Sequence, residues 1–324
     1  MSNKEPHFGV DHVDQKKDLK SYLGVYVRGI AMGAADVVPG VSGGTIALIT
    51  GIYDRFINGL KAAGSAQTLI ELKNMNFKGM FQRIDGLFLV SLFAGILTAI
   101  VGLAGLITYL MEYHPHPLWA FFMGLVLASS GVMWKDLKQQ GSIGVTVVVM
   151  LIAGFALAFF AGRMTPQSLD VQNWHFFAGG AIAICAMMLP GVSGSFLLLM
   201  MGLYGAVLNA VHNAAILQLA LFAGGCAVGL LSFSHLLSWC LTRFPKASYA
   251  FLIGLMLGAL EKLWPWKEVL QTRIKSDGTE VPLLDRAVSP FEFERIYEVS
   301  ANIEISIAAF AVAIIAIVLL GRKS

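Results

Sequence analysis

Followed along its apolar and polar positions, the chain is a series of long hydrophobic runs separated by short polar ones. Runs 87–111, 142–161, 214–241 and 303–321 each approach the roughly twenty apolar residues that carry a helix across a hydrocarbon core about 30 Å thick. Runs 118–134 and 247–264 are slightly shorter and are bounded by Trp119, Trp134 and Trp264, side chains suited to the membrane–water boundary. Two more stretches, 22–60 and 174–211, are long enough to cross but are interrupted, the first by Pro39-Gly-Val-Ser-Gly-Gly and the second by Pro190-Gly-Val-Ser-Gly-Ser. Proline removes a backbone donor and glycine favours non-helical backbone, so each stretch is predicted as two half-helices meeting at a loop. Irregular backbone at membrane depth persists only where protein or water satisfies it, a condition met by the tip of a re-entrant hairpin that lines a cavity.

Composition fixes the class. Of 324 residues, 56% are hydrophobic and 13% charged, against roughly 25% charged in an ordinary soluble domain. A mean hydropathy of +0.71 over the whole length excludes a single anchor on a soluble body. The net charge of +3 is too weak and scattered for a nucleic-acid surface. Cys185, Cys226 and Cys240 lie in apolar runs without metal-ligand spacing, and no metal or cofactor is expected. Residues 1–20 are polar, carry Lys16, Lys17 and Lys20, and lack the apolar core and cleavage site of a signal peptide; they read as a cytosolic tail.

A re-entrant hairpin returns to its own side, and the spans between the two hairpins are odd in number. The hairpins therefore enter from opposite faces. Basic residues agree with this arrangement: Lys61, Lys73, Lys78 and Arg83 in 61–86, Lys135 and Lys138 in 135–141, Arg243 and Lys246 in 242–246, and Arg322 and Lys323 at the end all fall on the proposed inside. The short outside loops 112–117, 162–173 and 212–213 hold Arg163 as their basic residue, while the long outside segment 265–302 mixes charges and is expected to hold a short amphipathic helix around 291–299.

The interruptions belong to a longer internal match. Pro39-Gly-Val-Ser-Gly matches Pro190-Gly-Val-Ser-Gly, Gly51-Ile-Tyr53 matches Gly202-Leu-Tyr204, and Leu92-Phe-Ala-Gly95 matches Leu221-Phe-Ala-Gly224. Ala120-Phe121 with Gly124 and Leu127 likewise matches Ala250-Phe251 with Gly254 and Leu257. The expected fold is an all-α polytopic membrane protein of two inverted-topology repeats, each a broken re-entrant hairpin followed by transmembrane helices. The first repeat is 21–161, with 142–161 as linker span; the second is 174–324. Such repeats place transporter substrate sites near the midplane, where interrupted helices meet.

Half-helices starting near Ser42 and Ser193 would aim unsatisfied N–H groups and positive dipole ends at that meeting point, an environment for an anion. Pro39 and Pro190 set the breaks. Ser42, Thr45, Ser193 and Ser195 add hydroxyls, and Gly40, Gly43, Gly44, Gly191 and Gly194 allow close approach to the main chain, which suits a phosphate or carboxylate. Two copies of the motif favour this reading over simple helix packing. Arg28, within an apolar run, is either a counter-charge for an anionic substrate or a snorkelling side chain. Asp36 could pair with Arg28, cap the second half-helix or carry a coupling proton. Asp54 and Arg55 read as interfacial charges, and His114, His116, His175 and His212 as wet residues at outer boundaries.

The segments Asp36-Val-Val-Pro-Gly-Val-Ser-Gly-Gly-Thr45 and Leu189-Pro-Gly-Val-Ser-Gly-Ser195 resemble a bacterial family, the PopT-type polyprenyl-phosphate, or undecaprenyl-phosphate, translocases. The resemblance runs from about residue 20 to the last span. It implies a flippase, not an enzyme, in the bacterial cytoplasmic membrane, and the charge pattern puts both termini on the cytoplasmic side. Such a protein returns undecaprenyl phosphate from the outer to the inner leaflet for peptidoglycan and other envelope polymers. Moving that charge inward opposes an inside-negative potential by about 2.3 kcal/mol per charge per 100 mV, which points to a coupling proton or sodium ion, with Asp36 the first candidate carrier. The partners so implied are undecaprenyl phosphate and membrane lipids, with a homodimer left open. The competing class is a transporter or channel for a small soluble anion. A lipid-phosphate phosphatase is disfavoured because the motif region has no histidine nucleophile and no carboxylate cluster.

Overall fold

The computed structural model describes residues 19–38, 42–139, 141–163, 171–274 and 280–321. The first interrupted stretch forms α1 (Leu19–Val37), α2 (Gly43–Ile49) and α3 (Tyr53–Ala63), and the second α10 (Asn173–Met188), α11 (Gly194–Met200) and α12 (Tyr204–His212). Between them come two short helices, α4 (Ala66–Lys73) and α5 (Phe77–Arg83), and then α6 (Gly86–Gly102), α7 (Ala104–Tyr113), α8 (Pro115–Gln139) and α9 (Val145–Gly162). After α12 follow α13 (Ile216–Arg243), α14 (Pro245–Gly258) with a 3-10 turn at Ala259–Leu263, an antiparallel pair β1 (Lys267–Ile274) and β2 (Glu280–Ala287), α15 (Pro290–Tyr297) and α16 (Ile303–Gly321).

Among the described residues α8, α9 and α13 are each long and apolar enough to cross a membrane, and there are up to five such spans if the bent pairs α5–α6 (70°) and α11–α12 (105°) each count as one. Many exposed side chains of α9, α13 and α16 are apolar: Val145, Val149, Ile152 and Phe160 on α9, Leu217 and Val228 on α13, Ile305 and Ile307 on α16. Apolar surface of this extent, on helices long enough to span, fits contact with lipid. The chain is a multi-pass membrane protein, mostly helical.

Three expectations change. Each interrupted stretch breaks twice, because Gly51 and Gly202, both at φ 70°, turn the chain again before α3 and α12. The run 87–111 is two helices, divided at Leu103 between Gly102 and Gly105, and no side chain packs where a Cβ of either glycine would stand; glycine is a poor helix former without such packing. Segment 265–302 holds α15 close to the expected place, but also the β1–β2 hairpin, so the fold is not purely helical.

The helices pair by one recurring contact. In α1–α6, Gly29 faces the Leu92 carbonyl and Gly95 faces the Tyr26 carbonyl. In α10–α13, Gly180 faces the Phe222 carbonyl and Gly225 that of Phe177. In α9–α14, Gly154 faces the Phe251 carbonyl and Gly254 that of Leu151. In each crossing the glycine lies three residues after the carbonyl that its partner helix contacts. In α8–α16, Gly124 faces the Phe310 carbonyl with Ala313 alongside. Small residues let membrane helices approach until Cα–H groups contact carbonyl oxygens. The structure also shifts one match made on sequence: the glycine performing in α13 the role of Gly95 is Gly225, whereas the nearest atoms to a Cβ at Gly224 are on the Phe177 ring, 3.8 Å away.

Candidate functional site

The two PGVSG segments are brought together. The α10 helix ends at Met188, so its last carbonyls lack intrahelical donors. Tyr53 Oη donates to the Met188 oxygen at 2.7 Å, and Ser42 Oγ lies 3.3 and 3.4 Å from the Met187 and Leu189 oxygens. In return Thr45 Oγ1 accepts from the Gly191 N–H at 3.0 Å. Gly44 makes this possible, since a Cβ there would stand 3.1 and 3.2 Å from the Met187 and Met188 oxygens. Ser42 and Thr45 are 2% and 1% exposed. The first motif therefore grips the second: its hydroxyls are engaged with protein backbone.

Ser42 also caps α2, accepting from the Gly44 N–H at 3.1 Å. The neighbouring Gly43 N–H donates to Asp36 Oδ1 at 2.6 Å. A carboxylate thus occupies the N-terminal end of α2, where the sequence reading places an anion, while much of the Asp36 side chain remains exposed.

The second motif is differently placed. Ser193 caps α11 by accepting from the Phe196 N–H at 3.5 Å, and its Oγ lies 3.0 Å from that of Ser195, which is exposed. Gly194 packs against the Ala183 carbonyl, Pro190 is buried, and Gly191, at φ 80°, stands close to the Leu255 carbonyl. The second tip thus carries accessible hydroxyls where the first carries none. Pro39 and Gly40 lie outside the described residues. Arg28, half-buried on α1, forms no ion pair among the described residues and is not brought to Asp36.

Three residues read on sequence as boundary groups have other surroundings. Asp54 accepts from Tyr249 Oη at 2.6 Å, tying α3 to α14. Arg55 forks onto Asp85 at 2.5 and 3.1 Å and covers the Phe88 ring at 4.3 Å. His116, 8% exposed, is not wet but wedged between the Phe293 ring at 4.7 Å and that of Trp266 at 6.2 Å. The adjacent Asp54-Arg55 pair hid the first of these roles, because a local charge pair is the usual mark of a boundary. Among the described residues no group of His, Cys, Asp and Glu could hold a metal ion.

Comparison with known proteins identifies a family. Residues 32–281 match a family described as VCA0040-like: Undecaprenyl phosphate translocase-like. The chain belongs to this family. Two curated relatives of the translocase-like chain carry the name Polyprenyl-phosphate transporter. One, from Vibrio cholerae serotype O1, is 49% identical over 276 residues, which is 85% of this chain and 88% of the relative. The other, from Staphylococcus aureus, is 33% identical over 258 residues, covering 74% and 85% of the two chains. Both are named as transporters and not as enzymes, in accord with the sequence reading on that point. No solved structure matches the chain.

Proposed function

We propose that this translocase-like protein is an undecaprenyl-phosphate flippase of the bacterial cytoplasmic membrane. It returns the lipid carrier from the outer to the inner leaflet, with both termini cytoplasmic and two inverted repeats enclosing the headgroup path. The relatives' printed names support the substrate class. The observation that carries the reading is the meeting of the two interrupted helices, where Tyr53, Ser42 and Thr45 hold the backbone at 187–191 and leave Ser193 and Ser195 accessible beside it.

The asymmetry of the tips supplies a mechanism. The hydroxyls of Ser193 and Ser195 offer donors to phosphate oxygens, with Gly191 and Gly194 allowing close approach and Arg28 as counter-charge. Asp36 holds the Gly43 N–H in competition with the headgroup. When Asp36 takes up a proton, its charge-assisted hold on that N–H weakens in favour of the phosphate, so one proton enters the cycle with each anion. This offsets part of the roughly 2.3 kcal/mol per charge per 100 mV that opposes inward movement.

The test is purified protein in liposomes, following the leaflet distribution of a fluorescent polyprenyl phosphate, with chloride and inorganic phosphate fluxes measured alongside. Protein-dependent lipid movement that falls in Ser193→Ala/Ser195→Ala, with no small-anion flux, is expected. Movement of a small anion with no lipid movement under any imposed pH gradient would replace the flippase by a small-anion transporter.

A further inference from the structure

Away from the hairpin tips, a cavity of about 470 Å³ opens between the end of α9, the 3-10 turn after α14 and the β1–β2 hairpin. Its cations are not equally committed. Arg163 is forked onto Glu261 at 2.7 to 3.2 Å and lies over the Phe159 ring at 4.0 Å. Arg286, on the outer side, is paired with Glu268 and Glu292. Lys262 and Lys267, by contrast, share one carboxylate: Asp285 Oδ1 and Oδ2 each stand 3.4 Å from one ammonium group. Well-formed ammonium–carboxylate hydrogen bonds are about 2.7–2.9 Å long, so Asp285 sits loosely between two positive charges that it cannot neutralise alone.

We infer that Lys262 and Lys267 are the first seat for the substrate phosphate on the extracytoplasmic side, and that Asp285 occupies this seat until the phosphate displaces it. This rests on the flippase reading and names a second contact for the same substrate. The level is appropriate: α9, apolar throughout, ends at Gly162 beside Lys262, where hydrocarbon gives way to water. Lys267 Nζ lies 5.1 Å from the Trp119 ring, an aromatic at the same boundary, and donates to the Lys262 carbonyl at 2.7 Å. The chemistry is also appropriate. A phosphate monoester carries about 1.5 to 2 negative charges and three acceptor oxygens, matching two ammonium groups better than one carboxylate does. Burial, with Lys262 adding to it, holds the Lys267 ammonium below the ordinary lysine pKa even with Asp285 nearby. Finally, Lys262 Nζ lies 5.3 Å from the ring of Phe196, the residue following Ser195, so the seat adjoins the accessible tip.

A structural strut and a phosphate seat make opposite predictions for Asp285. The experiment measures binding of a fluorescent polyprenyl phosphate to full-length protein in nanodiscs, with liposome transport by the wild type run in parallel. Lys262→Gln is expected to weaken binding by about tenfold, the effect of losing one charge-assisted contact. Asp285→Asn is expected to tighten it, and inorganic phosphate to compete with the lipid probe in wild type but less in Lys262→Gln. If wild type moves the lipid while Lys262→Gln leaves affinity unchanged, or Asp285→Asn weakens binding, the seat is overturned and the flippase reading stands. If wild type neither binds nor moves the lipid, the flippase reading itself falls. Should Lys262→Gln not fold, Asp285→Asn decides the matter alone, tighter binding supporting the seat and unchanged or weaker binding overturning it.

Discussion

The Tyr53 hydroxyl donates to the Met188 carbonyl at 2.7 Å, a buried bond joining positions 135 residues apart. Tyr53 is 1% exposed, so water cannot replace it. Tyr53→Phe leaves a helix-end carbonyl without a donor and should cost about 1–3 kcal/mol. The expected result is a lower thermal unfolding midpoint in detergent; an unchanged midpoint would show that the carbonyl finds another donor.

The two capping serines should separate stability from transport. Ser42→Ala removes a buried cap that also contacts the second motif, and is expected to lower the unfolding midpoint by the equivalent of about 1 kcal/mol. Ser193→Ala, with Ser195→Ala, changes an accessible pair and should reduce lipid movement severalfold with a smaller change in midpoint. Equal effects of both changes on both readouts would contradict the division of labour between the tips.

Asp36→Asn keeps an oxygen able to accept from the Gly43 N–H but cannot gain or lose a proton. Wild-type transport should rise as pH falls on the loading side, because protonation weakens the charge-assisted bond to that N–H, a neutral state that the asparagine holds at every pH. The asparagine variant should transport with little dependence on pH. A variant as fast and as pH-dependent as wild type would remove Asp36 from coupling.

Neighbouring glycines in α13 should behave very differently. A Cβ at Gly225 would overlap the Phe177 carbonyl, whereas at Gly224 its nearest neighbours lie 3.8 Å away. Gly225→Ala is expected to cost about 3 kcal/mol or more, since overpacking against backbone cannot be relieved by a rotamer change. Gly224→Ala should be tolerated. Monodisperse yield in size-exclusion chromatography compares them.

Much of the helical framework was legible because membrane spans announce themselves by length: 118–134 lies within α8, 142–161 closely matches α9, and 303–321 coincides with α16. Less legible were features set by partners distant in sequence. Ser42 and Ser193 sit in the same five-residue motif, yet one is buried against α10 and the other is accessible. That difference comes from Tyr53, Thr45 and the α10 terminus, which no local pattern reports. The β1–β2 hairpin was masked by mixed charge in 265–302, and Lys267 to Ile274 lacks the alternation of polar and apolar residues that marks a strand. The break at Leu103 was hidden because Gly102 and Gly105 resemble the packing glycines found throughout the chain.

The reciprocal glycine–carbonyl crossings also limit how the protein can move. Helices locked at a glycine on each side cannot slide or rotate past one another without driving Cα atoms into carbonyl oxygens. Shear within α1–α6, α10–α13 or α9–α14 is therefore blocked, and rearrangement must proceed by swinging whole pairs as rigid bodies. The turns at Gly51 and Gly202, in a backbone region costly to other residues, are the natural pivots for such swings.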